Sequence, residues 1–387
     1  SQQLQQQLLK LQKQLQTLAP PTTLVMVEQQ TRPSFIFQRG DYRQPGDPVQ
    51  PGIPALFRTA QQTPQPRNRL ELAQWLVSPQ NPLAARAAVN RWWAELFGTG
   101  LVTTPEDLGS RCDPPSHPQL LDWLAVELQE NGWSMKHLLR SIVLSRTWQQ
   151  SAHGSPELLQ IDDQNRLLAR GPRHRLPAEG IRDLALSVSG LLQHKIGGPS
   201  VSPYQPAGLW EELMARADGK NWTAQEYSQS HGADLYRRTM YTFGKRPCPP
   251  AQLATFDAPD RETCTVRRAR TNTPLQALVL MNDPTYVEAS RKLAERILIE
   301  GGTTTEQRIQ FAFRLATARP PTPRELHVLQ RVLDQQLARF NSNPDAAAKL
   351  LAVGESPRNE QLPDAELAAW SAVANVILNL DETVTKG

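Results

Sequence analysis

The stretch TNTPLQALVLMNDPTYVEASRKLAERILIEGG, residues 271–302, indicates two consecutive α-helices. Thr273 is followed by proline and, three residues later, by Gln276, which is the pattern of a capping box at a helix start. Asp283, followed by Pro284, marks a second start. Apolar residues at helical spacing on the second helix are predicted to face a core: Tyr286, Leu293, Ile297 and Leu298.

Helix starts and stops of the same kind recur along the chain from residue 69 onward. Predicted starts are Asn81 with Pro82, Ser116, Ser134, Pro177, Thr303 with Glu306, Thr322 with Glu325, and Asp364. Predicted stops are Gly98, Asn131 with Gly132, and Gly190. The 33 prolines in 387 residues favour short elements separated by rigid loops. We therefore predict a mainly α fold, a multi-helix globular body with a small β element near the N-terminus and long Pro-rich loops.

The N-terminal part has a different character. Short runs rich in β-branched and aromatic residues, Leu24 to Val27 and Phe35 to Phe37, predict two short strands. A Pro/Gly-rich loop is predicted for residues 39–54. The predicted domains are an N-terminal helix at 1–19, strands and linker at 20–64, and a helical domain at 65–387. The last has possible sub-parts 65–192 and 236–387, joined by an irregular segment 193–235.

Leucines repeat at 4-3-4-3 spacing in the glutamine-rich helix that opens the chain: Leu4, Leu8, Leu11, Leu15 and Leu18. This spacing is that of an a/d seam in a coiled coil. Two heptads are too short for an independent coiled coil, so we predict that the seam packs against a neighbouring part of the protein. The start at Ser1, without a signal peptide, is interpreted as an internal cut in a longer protein.

The sequence lacks the motifs of common enzymes and membrane proteins. It has no Walker loop, no G-x-G-x-x-G, no H-E-x-x-H and no G-x-S-x-G. No two histidines are spaced at i, i+4, which disfavours a histidine-built metal site. No run of eighteen apolar residues exists, so we predict no membrane span. We also predict no nucleic-acid partner.

Three cysteines occur, at Cys112, Cys248 and Cys264. None lies in a C-x-x-C or C-x-x-C-H motif, so no covalent haem c and no ribbon-type zinc site is expected in this segment. A disulfide between Cys248 and Cys264 would close a short loop in an oxidising compartment. The alternative is three unpaired buried thiols.

The most concentrated charge lies in residues 237–273, which contain eight basic and three acidic residues. Arginine suits sulfate, carboxylate and phosphate because of its planar fork. Our candidates for binding an anion or a charged partner are Arg237, Arg238, Arg267 and Arg268, with Arg173 and Arg175 upstream. The alternative is a structural role, in which these arginines pair with the carbonyls of helix C-termini and with nearby acidic side chains. The three acids, Asp257, Asp260 and Glu262, are weak calcium candidates or an acid–base pair, and we predict no metal site.

Four long stretches, 69–109, 115–151, 165–192 and 236–294, resemble the C-terminal domain of unknown function in planctomycete-type cytochrome c domain proteins. The most specific one is YRRTMYTFGKRPCPPAQLATFDAPDRETCTVRRARTNTPLQALVLMNDPTYVEASRKLA. The resemblance implies export to an extracytoplasmic location, periplasmic or secreted. It also implies upstream helical and cytochrome c domains, so that haem c is expected only there, and a secreted sulfatase- or phosphatase-like partner. It assigns no catalytic residue.

Three functions are compatible with these observations. The first is a non-catalytic docking or scaffold module of an exported cytochrome c-linked protein, tied to polysaccharide utilisation. The second is a module that binds an anionic, sulfated glycan, and the third is an enzyme of unrecognised type. A scaffold predicts a large apolar patch, and a glycan binder predicts an open basic groove flanked by exposed tryptophans. An enzyme predicts a deep pocket with strongly shifted pKa values.

Overall fold

The computed structural model describes residues 2–17, 23–27, 29, 32–57, 68–109, 111–214 and 227–387. The chain divides into two compact units, Ser1–Ala85 and Arg86–Gly387. It is mainly helical, with two small two-stranded sheets in the described residues. This confirms the predicted fold class. The predicted domain boundaries stay a prediction.

In the described residues of the N-terminal unit, two α-helices and one antiparallel pair of strands are present: α1 (Gln2–Thr17), β1 (Ser34–Phe37), β2 (Pro45–Val49) and α2 (Arg69–Leu76). β1 and β2 pair antiparallel, with Phe35 opposite Pro48. The strand predicted at Phe35 to Phe37 is thus confirmed. β2 lies inside the predicted loop, because its two prolines are tolerated on an edge strand. The strand predicted at Leu24 to Val27 is wrong, since the described residues 23–27 have no strand pairing.

The leucine seam of α1 is exposed within the described residues. Leu4, Leu8, Leu11 and Leu15 are 59–76% exposed, and Leu18 lies outside the described residues. The helix forms, but the described residues do not bury its leucines. Packing of the seam against an upstream part of a longer protein stays a prediction. The local 4-3 spacing fixes the helix and its apolar stripe, whereas burial also requires a partner surface, which spacing alone does not specify.

The second unit holds the remaining elements. Its helices are α3 (Ala84–Phe97), α4 (Pro118–Glu130), α5 (Met135–Val143), α6 (Pro156–Ile161), α7 (Ala178–Val188), α8 (Leu209–Met214), α9 (Ala251–Thr255), α10 (Pro274–Asn282), α11 (Pro284–Glu300), α12 (Thr305–Thr317), α13 (Pro323–Ser342), α14 (Pro344–Leu351), α15 (Asp364–Leu378) and α16 (Asp381–Val384). Its strands are β3 (His174–Arg175) and β4 (Thr385–Lys386), paired antiparallel. β3 and β4 join the middle of the sequence to its end.

The larger core is built around α11 and α15. Tyr286, Leu293 and Ile297 of α11 are fully buried, as predicted, and Trp370 of α15 packs in the same cluster. The adjoining helices α7, α10, α12, α13 and α14 contribute to it. Each fully buried aliphatic or aromatic side chain stabilises this cluster by roughly 1.5–3 kcal/mol.

The smaller core lies between α3, α4 and α5. Val89 and Trp93 of α3 pack with Leu124 and Leu128 of α4 and with Leu138 of α5. Trp93 stacks on Phe97, with ring centroids 4.1 Å apart. Phe97 is the last residue of α3, so the end of this helix is anchored in the smaller core.

Most helix starts follow the predicted capping chemistry. Capping boxes form at Thr273 and Thr322, Asp283 and Ser134 cap α11 and α5, and the Asn81 side chain accepts from two backbone N–H groups at the start of α3. The box predicted at Thr303 with Glu306 lies one residue later. There the Thr304 side chain caps the helix, and the Gln307 side chain accepts a hydrogen bond from the Thr304 backbone N–H. The shift is possible because residues 303 and 304 are both threonine.

The predicted disulfide is wrong. Among the described residues, Cys248 and Cys264 form no disulfide; Cys248 is buried and Cys264 is exposed. Cys112 is partly buried, so the alternative of three buried thiols does not hold either. Sequence spacing limits how far apart two thiols can lie, but the intervening loop decides where they point.

No helix in the part of the chain that the structure describes is both long enough and apolar enough to cross a bilayer.

Candidate functional site

Three adjoining cavities lie in the second unit, where the end of α3 meets β3 and β4. Their volumes are 1090, 880 and 370 Å³. Arg270 lines all three, and Gly98 lines the two larger ones. We call the 1090 Å³ space cavity A, the 880 Å³ space cavity B, and the three together the basic cleft. Volumes of about 300–1,000 Å³ are typical of ligand pockets.

Positive charge predominates among the residues that line the basic cleft. Ten arginines and seven acidic residues line it. Four arginines are ion-paired with four of these acids: Arg173 with Asp381, Arg175 with Asp257, Arg268 with Glu179, and Arg319 with Glu382. Arg170 is buried and donates to the carbonyls of Asp162 and Asp163. The remaining arginines leave a surplus of positive charge.

The C-terminal end of α3 organises the middle of the cleft. A helix leaves its last carbonyls without partners, and they carry partial negative charge. Arg270 donates to the Gly98 carbonyl at 3.0 Å, and Lys386 donates to the Leu96 carbonyl at 3.0 Å. Gly98 has a φ of +85°. A Cβ atom at Gly98 would lie 2.9 Å from the His174 Nδ1 atom and 3.3 Å from an Arg270 nitrogen, so this position favours glycine for two reasons.

Arg270 has no ion pair with any residue in the described part of the chain, although it donates to the Gly98 carbonyl. The protein around it removes water and lowers its pKa; Glu95 opposes this effect and the nearby Arg175 adds to it. The guanidinium therefore lies at the junction of the three cavities without a bound carboxylate. Arginine remains charged under all ordinary conditions.

His174 is held neutral beside these cations. Burial and, to a smaller extent, the charges of Arg270 and Lys386 lower its pKa to about 4, against the opposing effect of a hydrogen bond with the Glu95 backbone. Burial also lowers the pKa of Lys386 to about 8. The His174 Nδ1 atom is buried and has no hydrogen-bond partner within the described residues. A bound anion near this ring would favour its protonated form.

We expect replacement of His174 by glutamine to reduce the acid sensitivity of the fold. The folded-state pKa of about 4 lies below the usual 6.5, so the unfolded chain binds the proton first. Stability is therefore lost as the pH falls from 6.5 towards 4. After allowance for solvent screening, the wild type should lose about 1–2 kcal/mol more than the variant. Urea unfolding at several pH values measures this, and equal acid losses in both proteins would contradict it.

The carboxylate of Asp257 is bound by neighbouring protein groups. It pairs with Arg175 and accepts hydrogen bonds from the Thr271 backbone and hydroxyl, at 2.8 and 3.0 Å. Asp260 accepts from the Glu262 backbone in its own loop. The described residues contain no group of three His, Cys, Asp or Glu side chains suited to a metal ion. Asp257, Asp260 and Glu262 are therefore not gathered around one point in the described structure, and the weak calcium prediction for them stays a prediction.

Four of the six candidate arginines lie in the basic cleft: Arg173 lines cavity A, while Arg175, Arg267 and Arg268 line cavity B. Arg267 is exposed, and the other three are ion-paired. Although residues 173–175 and 267–268 are far apart in sequence, the fold brings them to adjoining cavities.

Arg237 and Arg238 lie outside the cleft. Arg237 is only 1% exposed, donates to the carbonyls of Pro199, Lys195 and Gly197, and stacks on Tyr241 at 3.9 Å. Its assignment as an anion-binding residue is wrong, because no ligand can reach its guanidinium. Arg238 pairs with Asp183 at 3.2 Å. For these two arginines the structural interpretation applies.

Sequence reasoning missed the central position of Arg270, the polar role of His174 and the place of Gly100 between the cavities. Arg270 stands in the motif RRAR, two residues after Arg268, so the charge itself was visible. Its lack of an acidic partner was not, since that depends on which carboxylates the fold brings near. Gly98 was correctly predicted as a helix stop.

The fold and this site define a mainly helical protein with an arginine-lined cleft beside the end of α3. A family model described as PSD1, protein of unknown function (DUF1553), matches residues 68–333, and the chain belongs to this family. No curated protein matches the chain. No solved structure matches it either.

Proposed function

We propose that the chain is a non-catalytic module that binds an anionic ligand in the basic cleft. The observation that supports this most strongly is Arg270. It lies at the junction of three cavities, is permanently charged and has no carboxylate partner among the described residues. Sulfate and carboxylate groups match the planar fork of arginine.

The structural alternative accounts for only part of the charge. The carbonyls at the end of α3 satisfy one donor of Arg270 and one of Lys386, but a helix terminus carries only about half an elementary charge. Burial and mutual repulsion lower the pKa values of His174 and Arg270. An anion in the cleft would offset this repulsion. These cations suffice for a binding role.

We expect Arg270→Gln to weaken binding of a heparin-derived disaccharide by about 10- to 100-fold, the usual contribution of a charge-assisted hydrogen bond. Titration calorimetry at fixed ionic strength measures this. Arg331→Gln is the matched control, because Arg331 is an exposed arginine on α13 and does not line the cleft. It makes the same change in net charge.

Two results would overturn the proposal. One is equal affinity of the wild type and both variants, which would mean that the ligand binds elsewhere. The other is the absence of any binding of the disaccharide or of inorganic sulfate to the wild type at low salt. Melting curves of the three proteins check that Arg270→Gln remains folded.

A second function, docking of another protein domain, is favoured by the outer face of α10. Leu275, Leu278 and Met281 follow one another at three-residue spacing and are 57%, 52% and 50% exposed. Such a stripe is typical of helix–helix contacts. We propose that the upstream helical domain of the same protein binds this face of α10.

Replacement of Leu275, Leu278 and Met281 by glutamine should then abolish binding of the chain to that domain, expressed separately. Unchanged binding would show that this face of α10 is not the docking surface.

The resemblance to planctomycete-type cytochrome c domain proteins supports one setting for both functions. We propose an extracytoplasmic protein in which haem c is held by an upstream domain and not by this segment. A secreted sulfatase- or phosphatase-like partner and the use of anionic polysaccharide fit the basic cleft. Fractionation of the natural host and a pull-down with that partner test these proposals separately.

A further inference from the structure

We infer that the ligand of the basic cleft is an oligosaccharide with at least two anionic groups, which passes over Gly98, Thr99 and Gly100 and occupies cavities A and B together. This inference rests on the proposed function and adds the class and length of the ligand. It depends on the wall between the cavities, on the cations at both sides of it, and on the neutral groups that line it.

Cavities A and B share one wall, which is built largely from small residues. Gly98, Thr99, Gly100 and Thr103 line both cavities, as does Arg270. Two of these residues are glycines, and their surroundings exclude larger side chains. A Cβ atom at Gly98 would meet His174, and a Cβ atom at Gly100 would lie 2.6 Å from the Asn90 side chain. Thr99 is exposed on this wall. An extended ligand can therefore cross it.

Cations without an acidic partner lie on both sides of the wall. Arg166 lines cavity A and Arg267 lines cavity B, and neither forms an ion pair within the described residues. Arg270 stands between them. A single small anion can contact one such group, whereas a chain with several anionic groups can contact all three. Linking several binding groups in one ligand raises its affinity well above that of each group alone.

The other lining groups favour a saccharide over a nucleic acid. Hydroxyl and amide side chains occupy cavity A, and these match sugar hydroxyls: Thr99, Thr103, Ser116, Gln164, Asn165 and Thr385. Binding of single-stranded nucleic acid relies on exposed aromatic faces for base stacking. The described aromatic residues that line the two cavities, Trp93, Phe97 and Phe256, are only 4%, 9% and 2% exposed.

The test is a calorimetric comparison of ligands of defined length with the intact chain. We expect a heparin-derived hexasaccharide to bind about 10- to 100-fold more tightly than the disaccharide. A hexamer of galacturonic acid, which carries carboxylates only, is measured in parallel. Binding of either hexamer more tightly than the disaccharide supports the inference. The ratio of the affinities of the two hexamers identifies the preferred anionic group. A single-stranded oligodeoxynucleotide of similar charge is the competitor from another class.

Three variants locate the ligand. Arg166→Gln and Arg267→Gln should each weaken hexasaccharide binding by about 10-fold, because each removes one contact on one side of the wall. Thr99→Trp raises the wall at an exposed position and should remove the affinity advantage of the hexasaccharide over the disaccharide. Arg331→Gln is again the control for net charge, and melting curves confirm folding.

The outcomes separate this inference from the proposed function. If the disaccharide binds, the hexasaccharide binds no more tightly and Thr99→Trp changes neither affinity, then the ligand does not occupy both cavities. In that case the inference is wrong, but the proposed anion site is not contradicted. If no anion binds, both are wrong. If the oligodeoxynucleotide binds as tightly as the hexasaccharide, the assignment to a saccharide is wrong.

Discussion

Replacing Arg237 with methionine is expected to lower the free energy of unfolding by about 3–4 kcal/mol. The side chain is buried, and its guanidinium serves three backbone carbonyls of residues 195–199 while it stacks on Tyr241. Methionine preserves much of the volume but supplies no donor. The three carbonyls then lose their partners, and the loop that they belong to loses its attachment.

The matched control for this prediction is Arg267→Met. Arg267 comes from the same charge-rich segment but is exposed and makes no ion pair within the described residues, so its replacement should change stability by less than about 0.5 kcal/mol. Urea unfolding followed by circular dichroism measures both variants. Equal stability losses in the two would contradict the assignment of Arg237 as a structural residue.

Replacing Glu288 with leucine should cost about 3–5 kcal/mol. Glu288 is 1% exposed and accepts hydrogen bonds from the hydroxyls of Tyr204 and Tyr236, at 3.0 and 2.8 Å, and from the Ser356 backbone at 2.6 Å. Arg291 lies 3.6 Å away. Burial, together with the charge of Glu288, raises the pKa of Tyr204 to about 12, so this hydroxyl donates at neutral pH.

Glu288→Gln tests the reason for that loss. It keeps the shape and one acceptor oxygen but removes the charge that Arg291 faces, so we expect a smaller loss of about 1–3 kcal/mol. Glu360→Gln, at an exposed position, is the control and should be nearly neutral. A leucine variant as stable as the wild type would show that the buried carboxylate contributes nothing to the attachment of the segment around Ser356.

Features governed by local chemistry were predictable from the sequence. The capping boxes at Thr273 and Thr322 form as predicted, because the groups that make them lie three residues apart. The apolar face of α11 is buried as its spacing indicates. The α1 stripe also forms, but its exposure depends on a partner surface that spacing alone does not specify.

The candidate site was only partly predictable, because tertiary placement decides the role of each charge. Arg237 and Arg267 both belong to Arg-Arg pairs, yet one is buried among carbonyls and the other is exposed in cavity B. The same limit applies to Cys248 and Cys264, whose spacing permits a disulfide that the fold does not form. Arg270 is distinctive because it lines all three cavities and no acid of the described chain pairs with it.

The most direct test of the proposed anion site is a crystal structure of the chain with the heparin-derived disaccharide bound. We predict a sulfate group within hydrogen-bond distance of the Arg270 guanidinium, at the junction of the three cavities. An ordered disaccharide bound elsewhere, with only solvent around Arg270, would contradict the account.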